Sequence, residues 1–386
     1  MKVAPMGIAV FICGALSAYK FNVIGEVYAA EIMLLPMAVA ALFSRNIDAL
    51  FKEKIFLILI FSLILMVAGY IISDLARDGV QGQYLRGWGR VALLISDFFA
   101  LAVLVAYERR IFWWFVLGSG LGAIIFLLDA HTPLREWKLG YGIPVVLSVI
   151  AVGRYFSARL NSAILVALAF INIWFDFRML GTICLMVAAI SWARAGNPGA
   201  ALRGTGLLNI MLPALFLGAA LLIGLMLTQD DYRSRREQSN VGRTVGIKVG
   251  LTAITESPLL GYGSWSDNKE LSKLYRAEMT KSGVNHGEAA GVKGFSPHSQ
   301  VLQAWMEGGA LGVVFFIVYG FMLFREVKFV ALTRKLDSYT SMFLFFLLMG
   351  IWDLLMSPFA GIHRMYIAVA AAILTIIAME KKTYER

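Results

Sequence analysis

The chain has 386 residues, of which 59% are hydrophobic and 16% charged, with a mean hydropathy of +0.72. A soluble domain carries about 25% charged and about 45–50% apolar residues, so the composition excludes an ordinary water-soluble enzyme. The net charge of +10 does not point to nucleic acid. No basic–aromatic module stands out, and Lys and Arg gather in the cytoplasmic loops of membrane proteins.

About 20 apolar residues suffice to cross a hydrocarbon core. In chain order, about twelve stretches approach this length: near 4–19, 26–44, 55–73, 88–107, 111–128, 141–153, 160–176, 179–194, 206–228, 298–324, 338–356 and 361–379. The first lacks a small-x-small cleavage site before Lys20, so it reads as a helix and not as a signal peptide. The sixth is short, and only Asp176–Arg178 separates the seventh from the eighth. Cys13 and Cys184 lie inside spans, where they read as packing residues. No internal repeat is visible, which argues against an inverted-repeat transporter. The expected fold is an all-α integral membrane protein with about 12 transmembrane helices and one long, partly helical periplasmic loop. It divides into helices 1–9 over residues 1–228, the loop over 229–297, and helices 10–12 over 298–386.

Lys and Arg set the orientation. With the N-terminus inside, the inner segments hold about 17 basic residues against about 8 in the short outer loops. Both termini are then cytoplasmic and the long loop is outside, which in a Gram-negative inner membrane means the periplasm. All four histidines (His131, His286, His298, His363) fall at the outer side, as do Arg86, Arg90, Arg178, Arg243 and Arg364. Such a grouping suits an anionic lipid headgroup.

The outer segment is the one long polar run in the chain. Arg178 occupies a tight hairpin, FDFRMLG, where a guanidinium needs an anion and its planar fork fits phosphate oxygens. Arg243 leads a stretch with apolar residues at Val245, Val249 and, further on, Ile254, a spacing that fits a helix lying on the membrane surface. Gly246 and Gly250 weaken that stretch as a free helix, so packing must hold it. His298, in SPHSQ, opens the tenth span, and its unperturbed pKa of about 6.5 suits proton transfer at neutral pH. Asp97, Glu307 and Asp353 are ionisable residues within spans, and an arginine on a neighbouring helix is the expected partner of Asp97. No histidine pair has zinc-helix spacing, so no catalytic metal is expected. PLLGYG lacks the lysine of a phosphate loop, and its glycines read as turn formers.

At these residues the chain resembles the superfamily of O-antigen ligases and O-antigen polymerases. The resemblance rests on a hairpin arginine (Arg178), then an arginine-led helix ending in P-hydrophobic-hydrophobic-G-x-G (Arg243 through Pro258, Gly261 and Gly263). A histidine then opens a span running to E-x-G-x-x-G (His298, Glu307, Gly309, Gly312). The chain departs from the family where Phe177 and Met179 flank the arginine and where Ser299 follows the histidine. The resemblance implies an O-antigen ligase: a metal-independent, inverting glycosyltransferase without a cofactor. It would move a glycan from undecaprenyl pyrophosphate to lipid A–core oligosaccharide in lipopolysaccharide biosynthesis. In it His298 is catalytic, Arg178 and Arg243 bind pyrophosphate, and Arg86, Arg90 and Arg364 support them. The alternatives are a polymerase that uses a second lipid-linked glycan as acceptor and, in another class, a transporter of lipid-linked oligosaccharide.

The orientation makes a direct prediction. A cysteine replacing Ser266 in the long loop will react with a membrane-impermeant thiol reagent in intact spheroplasts. Labelling only after lysis would reverse the orientation.

Overall fold

The computed structural model describes residues 5–23, 25–43, 47–77, 81–195, 230–264, 269–283, 295–332 and 339–385. The ninth expected span, 206–228, lies outside these residues, as do Ser266 and His286. Within them the protein is all-α apart from one hairpin. Its helices are α1 (Pro5–Ala15), α2 (Ala29–Leu42), α3 (Asp48–Phe51), α4 (Lys54–Ala76), α5 (Gln81–Tyr107), α6 (Arg110–Asp129), α7 (Gly142–Gly153), α8 (Ala158–Trp174) and α9 (Arg178–Ala195). They continue with α10 (Asp230–Glu256), α11 (Lys269–Lys281), α12 (Gln300–Leu332), α13 (Thr340–Met356) and α14 (His363–Glu385). The hairpin pairs β1 (Lys20–Asn22) antiparallel with β2 (Glu26–Tyr28).

Five of these helices have a segment long and apolar enough to cross a membrane: α4, Tyr84–Tyr107 of α5, α6, α12 and His363–Lys381 of α14. Their outer faces carry bare hydrocarbon. Phe61, Ile64, Ile125, Leu128, Phe321 and Phe324 are all more than half exposed. Apolar surface this extensive is unfavourable in water and ordinary against lipid. Where helices touch, small residues let the backbones close. Gly118 and Gly122 of α6, four apart, meet Phe11 and Ala15 of α1, so the two helices run parallel.

Helix α12 is broken at Gly309, whose backbone (φ 62°, ψ −156°) lies outside the helical region. The break leaves peptide groups without intrahelical partners, and the PLLGYG loop after α10 supplies them. Tyr262 N donates to Met306 O (2.7 Å), Gly263 N to Glu307 O (3.1 Å), and Ala310 N to Leu259 O (3.1 Å). The approach is so close that a Cβ on Gly309 would stand 2.0 Å from Leu259 O, and one on Gly261 would stand 2.6 Å from Gly309 N. The glycines of the two sequence motifs are thus two halves of one joint.

Replacing Gly309 by alanine combines a left-handed φ with that clash. Strain of this kind costs on the order of 1–3 kcal/mol before the clash is counted. Gly309→Ala will therefore lower the melting temperature of the purified protein by several degrees. Gly89→Ala, whose added methyl meets nothing within 4 Å, will not lower it, since alanine favours the helix.

Candidate functional site

The joint carries a buried polar network. The Glu307 carboxylate, 1% exposed, accepts from Tyr70 OH (2.8 Å), from Gln303 Nε2 (3.0 Å) and from Arg90 Nη2, with which it forms an ion pair. Arg90 Nη1 donates to Phe359 O at 2.7 Å, and its guanidinium lies 4.4 Å from the centre of the Phe359 ring. Gln303 Oε1 in turn accepts from Phe359 N (2.8 Å) and Ser296 Oγ (3.1 Å). A buried charge pair persists only when such hydrogen bonds offset its desolvation. A second clamp forms at Asp74, at the end of α4. It accepts from Ser264 N (2.6 Å), Ser264 Oγ (2.5 Å) and Trp88 Nε1 (2.7 Å). Sequence reasoning missed Asp74, because nothing near it in the chain indicates a partner 190 residues away.

These clamps fix the loop and the start of α12, and α10 packs onto both. Its buried face, Val245, Val249, Ala253 and Ile254, meets Leu271, Phe295 and Met306. Gly246 and Gly250 are the notch into which the segment before α12 fits: a Cβ on Gly250 would lie 3.0 Å from Pro297. Pro297 and His298 therefore stand ahead of the helix and not in its first turn. Ser299 begins it instead, its Oγ accepting from Leu302 N (3.4 Å) and donating to Leu354 O (3.2 Å).

This packing sets Arg243 and His298, both exposed, within electrostatic reach of one another. Among the described residues neither side chain makes a hydrogen bond or ion pair. Partial loss of solvent and, after it, the positive charge of Arg243 push the His298 imidazole below its ordinary value. It is therefore neutral at pH 7 and able to accept a proton.

The other expected site residues fall into two further groups. Arg178 opens α9 beside Asp176, whose left-handed backbone (φ 60°) turns the chain. Arg178 donates to Asp176 Oδ1 from Nε (3.2 Å) and Nη2 (3.1 Å), and Lys138 Nζ lies 3.2 Å from Oδ2. The anion that the hairpin arginine needs is thus supplied by its own turn. Arg86, Arg90 and Arg364 instead share a cavity of about 850 Å³ between α5, the hairpin and the start of α14, with apolar walls that include Val27, Leu85 and Leu93. Arg90 and Arg364 are tied into the fold. Arg90 pairs with Glu307, and Arg364 holds Glu31 in a fork of 2.6 and 2.9 Å while donating to Glu26 O at 2.7 Å. Asp97 was expected to pair with an arginine of a neighbouring helix; Arg364 of α14 lies near it but bonds Glu31, and Asp97 sits fully buried beside that pair.

One further histidine is oriented. His363 Nδ1 lies 3.1 Å from Asp353 Oδ2, and Ser357 Oγ donates to Oδ1 at 2.7 Å. Sequence reasoning named both residues without joining them. Among the described residues, no group of three His, Cys, Asp or Glu side chains is placed to hold a metal ion. No protein-family model matches the chain, and no curated protein matches it.

The Arg243–His298 relation is measurable. Replacing Arg243 by glutamine removes a charge that disfavours the imidazolium, so the His298 pKa will rise. In a background with His131, His286 and His363 changed to glutamine, diethyl pyrocarbonate titrates the remaining imidazole. The pH at half-maximal reactivity will move upward in Arg243→Gln. An unchanged midpoint would separate the two residues.

Proposed function

We propose that the protein is an O-antigen ligase: a metal-independent, inverting glycosyltransferase that moves a glycan from undecaprenyl pyrophosphate to lipid A–core oligosaccharide. Its site faces the periplasm, in an inner-membrane protein of about twelve spans with both termini inside. The observation that carries this reading is the Arg243–His298 pair. It is a cation beside a neutral imidazole, both exposed and neither used by the fold, held on a rigid mount at the end of an apolar helix set. The resemblance in the order of Arg178, Arg243, the Gly261–Gly263 loop, His298 and Glu307 supports the same assignment.

The chemistry follows from these groups. Arg243, joined by Arg178 as the resemblance implies, neutralises the pyrophosphate, whose negative charge grows as the sugar–phosphate bond breaks. His298 takes the proton from the acceptor hydroxyl while its oxygen attacks the anomeric carbon from the opposite face. One displacement inverts that carbon, and the bonding electrons leave with undecaprenyl pyrophosphate. The apolar walls of the Arg86–Arg90–Arg364 cavity suit the prenyl chain, and Arg86 adds positive charge at its edge. Donor binding also tunes the base. Pyrophosphate offsets the charge of Arg243, so His298 becomes more basic when the donor is in place.

Purified protein supplied with lipid-linked donor and lipid A–core acceptor tests the reading by product mass. A glycosylated core supports the ligase. Longer lipid-linked glycans would make the protein a polymerase, and unchanged masses with lipid movement in vesicles a transporter. Arg178→Ala and Arg243→Ala will abolish transfer, with poor rescue by lysine, because a point charge does not replace a bidentate fork. His298→Ala will lose about 10²–10⁴-fold in rate and retain donor binding. In the native enzyme the acid limb of kcat/KM, which reports free enzyme, will lie at lower pH than that of kcat, which reports the donor complex. Acid limbs that coincide, or weakened donor binding in His298→Ala, would remove the base assignment.

A further inference from the structure

The turn that closes the break in α12 presents hydrocarbon outward. Leu259 and Leu260, just after α10, are 74% and 43% exposed. A single exposed leucine needs no explanation, but these two continue a larger surface. Leu259 O accepts from Ala310 N, next to Leu311 of α12, and Gly263 N donates to Ser73 Oγ (2.9 Å), between Ile72 and Leu75 of α4. Leu311, Ile72 and Leu75 are all more than a third exposed.

Charges along α4 and α12 give the level of this turn. No charged residue falls between Lys54 and Asp74 in α4, or between Glu307 and Arg325 in α12. The two helices run antiparallel, since Tyr70 and Ser73 near the end of α4 bond Glu307 near the start of α12. Lys54 and Arg325 therefore mark the same side. At 1.5 Å per residue, Ser73 stands about 28 Å along α4 from Lys54, and Ala310 about 22 Å along α12 from Arg325. A hydrocarbon core is about 30 Å thick. Gly263, bonded to Ser73, is thus level with its edge, and Leu259, bonded to Ala310, is level with its interior.

Non-helical backbone is tolerated at such depth only where protein satisfies its polar groups. The turn meets that condition. Pro258 has no N–H, and its carbonyl accepts from Trp305 Nε1 (2.9 Å). Gly261 O accepts from Arg77 Nε (3.1 Å) and Ser257 Oγ (3.0 Å), while Gly261 N donates to Ser257 O (3.0 Å). Just past α4, Arg77 Nη2 also donates to Ser257 Oγ (2.6 Å), and Tyr262 OH donates to Glu256 Oε2 (2.5 Å). These groups form a polar rim on which the apolar surface ends.

We propose that the turn from Pro258 to Gly261 dips into the bilayer, with Leu259 and Leu260 against lipid chains and the Arg77–Glu256–Tyr262 rim at the headgroups. Lipid is the partner because the leucines continue the apolar faces of α4 and α12. The break at Gly309 then lies at the depth where the turn enters, and each irregular segment supplies the other's hydrogen bonds. The placement is independent of the transferase reading and of which side of the membrane the turn enters from.

Spin labels on the full-length protein in phosphatidylethanolamine–phosphatidylglycerol vesicles test it. Cys13 and Cys184 are buried, so Leu259→Cys and Leu260→Cys each offer one accessible thiol. Phe321→Cys, at an exposed position of α12, serves as the lipid reference, and Ala277→Cys, at an exposed position of α11, as the water reference. The ratio of collisions with oxygen, which concentrates in lipid, to those with a water-soluble nickel chelate will match Phe321→Cys at both leucines. It will exceed that of Ala277→Cys several-fold. Ratios equal to that of Ala277→Cys would place the turn in water, and labels shielded from both reagents would place a protein partner on it; either would overturn the proposal. A second measurement needs no substitution. A phospholipid with a mid-chain diazirine, photolysed with the unaltered protein, will attach to the peptide holding Leu259 and Leu260. Attachment to the Phe321 peptide without attachment there would also overturn it.

Discussion

The ion pair of Arg90 with Glu307 is the interaction on which the end of the molecule that holds His298 depends. It sits at the break in α12, in surroundings where an unpaired charge is very unfavourable. Removing one partner of such a pair costs on the order of 3–5 kcal/mol. The pair draws together α5 through Arg90, α4 through Tyr70, and the segment ahead of α14 through Phe359 O. Gln303 extends the same network to Ser296, two residues from His298. A broken helix, a glycine loop and an exposed histidine are thus fixed relative to one another by a single connected set of hydrogen bonds.

The charges at this end fall into two kinds. Arg90, Arg364, Glu31, Glu307 and Asp74 are buried; the Arg90–Glu307 and Arg364–Glu31 pairs and the bonds of Asp74 to Ser264 and Trp88 maintain the shape. Arg243 and His298 are exposed and take no part in that network among the described residues. A site that binds a highly charged substrate needs both kinds. On the proposed reading, the committed pairs give rigidity without net charge, and the Arg243–His298 pair is left to meet the substrate. Electrostatic stabilisation of a leaving group is most effective when the groups that provide it need not reorganise.

Much of the architecture is legible in the sequence because its physics is local. Apolar runs mark helices, so every expected span that falls within the described residues corresponds to one. The helix begun at Arg243, with Val245 and Val249 on one face, and the turn at Gly261 and Gly263 could be read from spacing and residue type. Some boundaries differ for local reasons too. Helix α5 begins at Gln81 and not near 88, because an apolar run marks only where the hydrophobic part starts and residues 81–87, QGQYLRG, are mostly polar. Pairings across the fold were not legible. Arg86, Arg90 and Arg364 share a cavity, and Ser264 meets Asp74, only because helices far apart in the chain come together. The pairing of Arg364 with Glu31, 333 residues away in the chain, is of the same kind, whereas the Asp176 partner of Arg178, two residues away, was in plain view.

The central claim is that the donor's pyrophosphate lies against Arg243, beside His298, with its prenyl chain along apolar helix surface. Electron cryomicroscopy of the purified protein with bound undecaprenyl pyrophosphate tests it most directly. The account predicts phosphate density within hydrogen-bonding distance of the Arg243 guanidinium, with the terminal phosphate facing the His298 imidazole. Pyrophosphate bound away from both residues, with Arg243 and His298 facing solvent, would contradict it.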